Sequence, residues 1–85
     1  HGVFKDGERI SLTPTEFGIF LLLASNPGRV FSSEEIFERV WEEKYFQSNN
    51  TVMVHIRRLR EKIEDDPQNP QYIKTIWGVG YKFEE

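Results

Sequence analysis

Four cations crowd one short stretch of this sequence. Arg57, Arg58, Arg60 and Lys62 lie between residues 49 and 62, with Glu61 the one acid among them. That stretch carries +3 in a chain whose formal charge is -3, so the remaining residues carry -6. The acidic total alone argues against a nucleic-acid partner, since a basic domain is the usual footprint. The local concentration argues the other way. DNA presents a dense line of phosphates, and arginine forks pair with phosphate oxygens or with guanine O6 and N7.

The neighbours of these cations fit the same chemistry. On a helical wheel with Thr51 at zero, Val52, Ile56, Leu59 and Ile63 fall between about 80° and about 140° and form one apolar side. Thr51, at the start of that helix, can donate its hydroxyl to a phosphate beside the free N–H groups of the first turn. His55 can donate to a phosphate or a base edge. Val54 lies near 300° on this wheel, about opposite the apolar side. It is expected to be exposed there, where a thymine methyl would cover it. The bland reading is a solvated face, with Arg57–Glu61 and Arg60–Glu64 as ordinary pairs worth a few tenths of a kcal/mol. The helix alone leaves the two readings level.

Enzyme chemistry finds little support. There is no cysteine, and His55 is the one histidine besides the terminal His1, which is expected to be disordered. No second ligand stands at metal spacing, so no metal or cofactor is called for. Glu34-Glu35, Glu42-Glu43 and Asp65-Asp66 are adjacent acids, which solubilise more often than they catalyse. Absent cysteines fit a cytoplasmic protein. The longest apolar run, residues 19–24, is far short of the roughly 20 residues that span a bilayer.

Positioning these side chains requires a frame, and the sequence supplies one domain of it. Asp6-Gly7 between two short extended runs predicts a β-hairpin. Thr13-Pro14-Thr15-Glu16 predicts a capped helix start, followed by Phe17, Ile19, Phe20, Leu21, Leu22 and Leu23 on nearly every side, as in a central buried helix. Val30-Phe31 reads as extended. Ser32-Ser33-Glu34-Glu35 opens a second helix with Ile36, Phe37, Val40 and Trp41 on one side. Residues 42–48 are a loop. The basic helix opens at Ser48 or Asn49 and lasts to about Glu64. Residues 72–77 and 81–83 then form a hairpin whose turn is supplied by Gly78 and Gly80. Phe17, Phe20, Phe37, Trp41 and Tyr81 belong to the core. The class is α+β, with short N-terminal strands, a three-helix core and a C-terminal hairpin. A hairpin after a basic helix is what a wing looks like, and this raises the DNA reading.

Three stretches carry a family resemblance over almost the whole chain: Leu12-Thr13-Pro14-Thr15-Glu16-Phe17; Thr51-Val52 with Val54-His55-Ile56-Arg57-Arg58-Leu59-Arg60; and Tyr72-Ile73-Lys74-Thr75 with Gly78-Val79-Gly80-Tyr81. In order and spacing they resemble the winged helix-turn-helix effector domain of OmpR/PhoB-type response regulators. The resemblance implies a transcription regulator of a two-component phosphorelay. In that family a phosphorylated receiver domain promotes homodimerisation, and the effector domains bind direct-repeat sites in double-stranded DNA. It places the third helix in the major groove and the wing at the minor groove. Carried over residue by residue, Thr51, Arg57 and Arg60 contact phosphates, Val54, His55 and Arg58 face bases, and Lys62 adds charge. Thr75 touches phosphate beside the wing, whose tip is Trp77 and Gly78. Glu42, Glu43, Lys44, Tyr45 and Phe46 occupy the place of the family's transactivation loop, where some members meet RNA polymerase.

The chain also departs from the family pattern. Met53 stands where many members have aspartate, Asn50 where many have arginine, and Trp77 where many have the wing arginine, so Lys74 or Lys82 would have to supply that charge. The tryptophan, with Asn49-Asn50-Thr51-Val52, is similar to the VanR subgroup. The chain opens on His1-Gly2 rather than Met, and its N-terminal hairpin is smaller than the family's sheet. Both features suggest a fragment without its receiver domain. The rival reading is a winged helix that binds protein, for which Trp77 and Phe46 would be the first suspects.

Overall fold

The computed structural model describes residues 2–45 and 50–84. Strands β1 (Gly2–Lys5) and β2 (Glu8–Ser11) pair antiparallel with Lys5 opposite Glu8. Asp6 and Gly7 both have positive φ, 51° and 82°, which is the two-residue turn that Asp-Gly favours. Helix α1 (Pro14–Ala24) starts on the expected capping box. The Thr13 Oγ1 accepts from the Glu16 N–H at 3.1 Å, and Glu16 Oε1 accepts from the Thr13 N–H at 3.0 Å. Helix α2 (Ser33–Trp41) is capped by Ser32, and α3 (Thr51–Ile63) follows Asn50. Strands β3 (Ile73–Ile76) and β4 (Gly80–Phe83) close the chain as a second antiparallel hairpin.

The core is where the three helices and the second hairpin meet. Ile19, Leu23, Phe31, Ile36, Val52, Ile56, Leu59 and Ile73 are fully buried there. All four apolar α3 residues identified from the wheel are in it, and Phe37 joins them. Phe17, Phe20, Trp41 and Tyr81 are half-buried against its edges.

Three expectations change. Helix α1 is not enclosed: α2, α3 and β4 pack against it, yet Leu21 is left 51% exposed to solvent. Helix α3 begins at Thr51, with Asn50 at its N-cap and making no side-chain cap bond. The earlier start expected at Ser48 or Asn49 falls on residues outside those described, as do His1 and Phe46. The two wing glycines also divide their work. Gly78, with φ +76°, makes the turn, whereas Gly80 is a strand residue opposite Ile76. A Cβ on Gly80 would lie 2.0 Å from the Phe31 carbonyl oxygen. The glycine is needed there because the extended Phe31 bridges Tyr81 as a third, one-residue strand.

Candidate nucleic-acid interface

Helix α3 presents three sides. Its apolar side is buried against α1 and α2, as above. Arg57 and Arg58 lie on the exposed outer side. Neither the Arg57–Glu61 nor the Arg60–Glu64 ion pair forms among the described residues. Val54 is half-buried rather than exposed. Met53 is the open apolar residue of this helix, at 56% exposure. The wheel angle could not show this, because it ranks directions around one helix and knows nothing of what stands beside it.

One flank of α3 leans on α2 and α1. The His55 ring meets Trp41 edge to face, with centroids 5.2 Å apart. Its Nδ1 lies 2.9 Å from the Thr51 carbonyl oxygen. A carbonyl only accepts, so Nδ1 carries the proton in that bond. Trp41 in turn stacks on Phe37 at 4.9 Å, and Phe37 meets Tyr45 at 5.7 Å. Farther along the same flank, Lys62 Nζ donates to Glu16 Oε1 at 2.6 Å. Glu16 is only 3% exposed. Burial by itself would raise its carboxyl, but the Lys62 ammonium and the Thr13 bonds outweigh it and hold the group below its ordinary value.

The opposite flank leans on the wing. Arg60 Nε and Nη2 both donate to the Ile73 carbonyl oxygen, at 3.1 and 2.8 Å. Nη2 also donates to Thr75 Oγ1 at 2.8 Å, and the guanidinium lies 5.7 Å from the Tyr81 ring centroid. Burial lowers the Arg60 pKa from its ordinary value, with Tyr81 and Glu64 opposing the shift. One turn on, the buried Glu64 carboxylate accepts from the N–H groups of Gln71, Tyr72 and Ile73 at 2.8 to 3.2 Å. At the wing tip Trp77 is 90% exposed, beside exposed Gly78 and Val79. On the wing's outer side Lys74 stands opposite Lys82, and Lys82 pairs with Glu84 at 2.7 Å.

The structure therefore brings Thr51, Val54, His55, Arg57 and Arg58 together along α3, and sets Thr75, Trp77 and Gly78 on the hairpin held to it. Arg60 and Lys62 are given other partners, the wing backbone and Glu16. Sequence reasoning missed both buried carboxylates as tertiary anchors. Glu16 was legible as a cap, but its Lys62 partner lies 46 residues away with no local signal. After α2, Glu42 turns the chain with φ 56°, Glu43 and Lys44 are exposed, and the Tyr45 N–H donates to Glu38 Oε2 at 3.3 Å.

Residues 7–83 match the family described as transcriptional regulatory protein, C terminal. The chain belongs to this family, in its OmpR/PhoB branch. The regulatory protein VanR of Enterococcus faecium is 54% identical over 86 residues, which cover 100% of this chain and 37% of VanR. The structure of the response regulator DrrB, a Thermotoga maritima OmpR/PhoB homologue, superposes with a TM-score of 0.88 at 48% identity, over 99% of this chain and 38% of that one. The Klebsiella pneumoniae RstA DNA-binding domain, solved in complex with the RstA box, gives a TM-score of 0.90 at 29% identity, over 98% and 82% of the two chains. The chain thus spans a little over a third of the length of curated relatives such as VanR. The fold is the winged helix of these regulators. No helix among the described residues is long and apolar enough to cross a membrane.

Proposed function

We propose that this domain is the DNA-reading output unit of a cytoplasmic two-component response regulator, and that it works by binding rather than by catalysis. Helix α3 enters the major groove and the wing reaches the adjacent minor groove of double-stranded DNA. The single observation that carries the reading is the outer side of α3. Two exposed arginines, Arg57 and Arg58, stand there beside Thr51, Val54 and His55 on a helix wide enough to fill a major groove. Arg57 and Thr51 hold phosphates. Arg58, Val54 and His55 face the bases. Thr75, Trp77 and Gly78 meet the backbone and sugars flanking the helix.

In the longer protein, a phosphorylated receiver domain would pair two such units on a direct repeat. Avidity then raises the affinity above that of one domain. The segment after α2 that carries Glu42, Glu43, Lys44 and Tyr45 is the surface offered to RNA polymerase. Support for the DNA-binding role comes from membership of the family and from the likeness to RstA, whose domain was solved on DNA.

The test is selection of bound duplexes from a random pool by this domain. Recovery of a half-site, repeated in register when two domains are linked, is the expected result. A pool no richer than random DNA would overturn the reading in favour of a winged helix that docks on protein through Trp77.

A further inference from the structure

The wing has two edges, and they are secured differently. Along β4 the edge is closed by backbone. The N–H groups of Phe31 and Tyr81 each donate to the other's carbonyl, at 2.8 and 2.9 Å, and the Gly28 N–H donates to the Phe83 carbonyl at 2.9 Å. The β4 residues Tyr81 and Phe83 therefore aim their backbone groups away from β3. In an antiparallel ladder their opposite numbers, Thr75 and Ile73, must then aim theirs away from β4. Among the described residues no strand lies on that side. Helix α3 takes its place with two side chains one turn apart. Glu64 accepts the Ile73 N–H at 2.9 Å, and Arg60 donates twice to the Ile73 carbonyl. The third Arg60 bond, to Thr75 Oγ1, uses that oxygen as an acceptor. The hydroxyl hydrogen is thereby left to donate elsewhere, and a phosphate oxygen is the kind of acceptor it would meet.

We propose that Arg60 is a positioning residue that clamps the wing to α3 and orients the Thr75 hydroxyl toward DNA, instead of touching a phosphate itself. The inference rests on the DNA-binding reading above. It separates two roles that a count of basic residues merges. A phosphate contact needs only a positive charge, which lysine supplies as a point charge. The clamp needs the planar fork, which lysine lacks.

The experiment compares Arg60→Lys and Arg60→Ala with the parent domain on its selected duplex. Affinity, hydroxyl-radical footprint and, without DNA, amide exchange are measured. Lysine is expected to fail like alanine, each binding about ten-fold more weakly. The minor-groove protection beside the wing should vanish while protection under α3 persists, and wing amides should exchange faster than those of α3. Adding Thr75→Val to Arg60→Lys should cost less than roughly two-fold more, since the two act as a unit. Parental affinity and footprint in Arg60→Lys would overturn the proposal, as would unchanged wing exchange or fully multiplicative losses with Thr75→Val. If Arg60→Lys does not fold, Thr75→Ser and Thr75→Val decide. The wing footprint should survive in the first and be lost in the second, and equal behaviour overturns the proposal. A parent that selects no duplex would defeat the DNA reading instead, and amide exchange alone would then judge the clamp.

Discussion

Glu16 is a buried acid whose charge is kept by its neighbours. Two donors satisfy the carboxylate, the Lys62 ammonium and the Thr13 N–H, while the Glu16 N–H donates back to the Thr13 hydroxyl oxygen. Because its pKa is lowered in the folded state, it contributes stability above its unfolded value and loses that contribution as the pH falls from there through its lower folded value. The thermal midpoint should therefore drop on acidification from about pH 5 downward, and Glu16→Gln should flatten that drop. Lys62→Ala, which strands the carboxylate, should cost about 1–3 kcal/mol at neutral pH in denaturant titration. The exposed arginines call for different readouts. Arg57→Ala should weaken selected and random duplexes alike. Arg58→Ala should cost roughly 1–3 kcal/mol on the selected site and relax preference at one or two base pairs. Equal losses on both duplexes would refute the base-reading role of Arg58. At this scale the sequence displayed which residues could do chemistry. It did not display which cations were already engaged, because Lys62–Glu16 and Arg60–Ile73 are contacts made only by folding.

The start of α1 and the first hairpin turn were the most legible features among the elements, since their causes are local. The Thr13 capping box and the Asp6-Gly7 turn depend on residues within a few positions of one another. The role of Gly80 depends on Phe31, about fifty residues earlier in the chain, and so was read as part of a turn. The two wing glycines should respond very differently to alanine. Gly78→Ala meets no atom within 4 Å and bears only the strain of positive φ, about 1 kcal/mol. Gly80→Ala drives a methyl into backbone atoms of Phe31 and Ser32 that cannot rotate aside. It should cost more than about 3 kcal/mol or displace the wing from Phe31. Chemical denaturation of the two variants side by side checks the difference, and similar midpoints would refute it.

Taken whole, the molecule is polarised rather than acidic. All but one of the 14 acids lie outside the α3 stretch, and such a distribution turns the basic side toward a polyanion while repelling it from the others. The tally of four cations on α3 overstates what is free to neutralise phosphates. With Arg60 and Lys62 engaged, Arg57 and Arg58 remain on α3, and Lys74 joins them from the wing. Three such contacts predict a slope of about −2.7 in log affinity against log salt, where counting all five cations would give about −4.5. A titration series in salt measures it. The two tryptophans have a consequence of another kind. Trp41 is stacked on Phe37 and half-covered, while Trp77 stands 90% exposed at the wing tip. The protein thus carries two indoles in contrasting surroundings, one shielded and one in water. Iodide reaches the second far more readily than the first. Its fluorescence quenching is an unlabelled optical reporter of whether the wing tip is open or covered, placed on the element whose engagement is hardest to see by affinity alone.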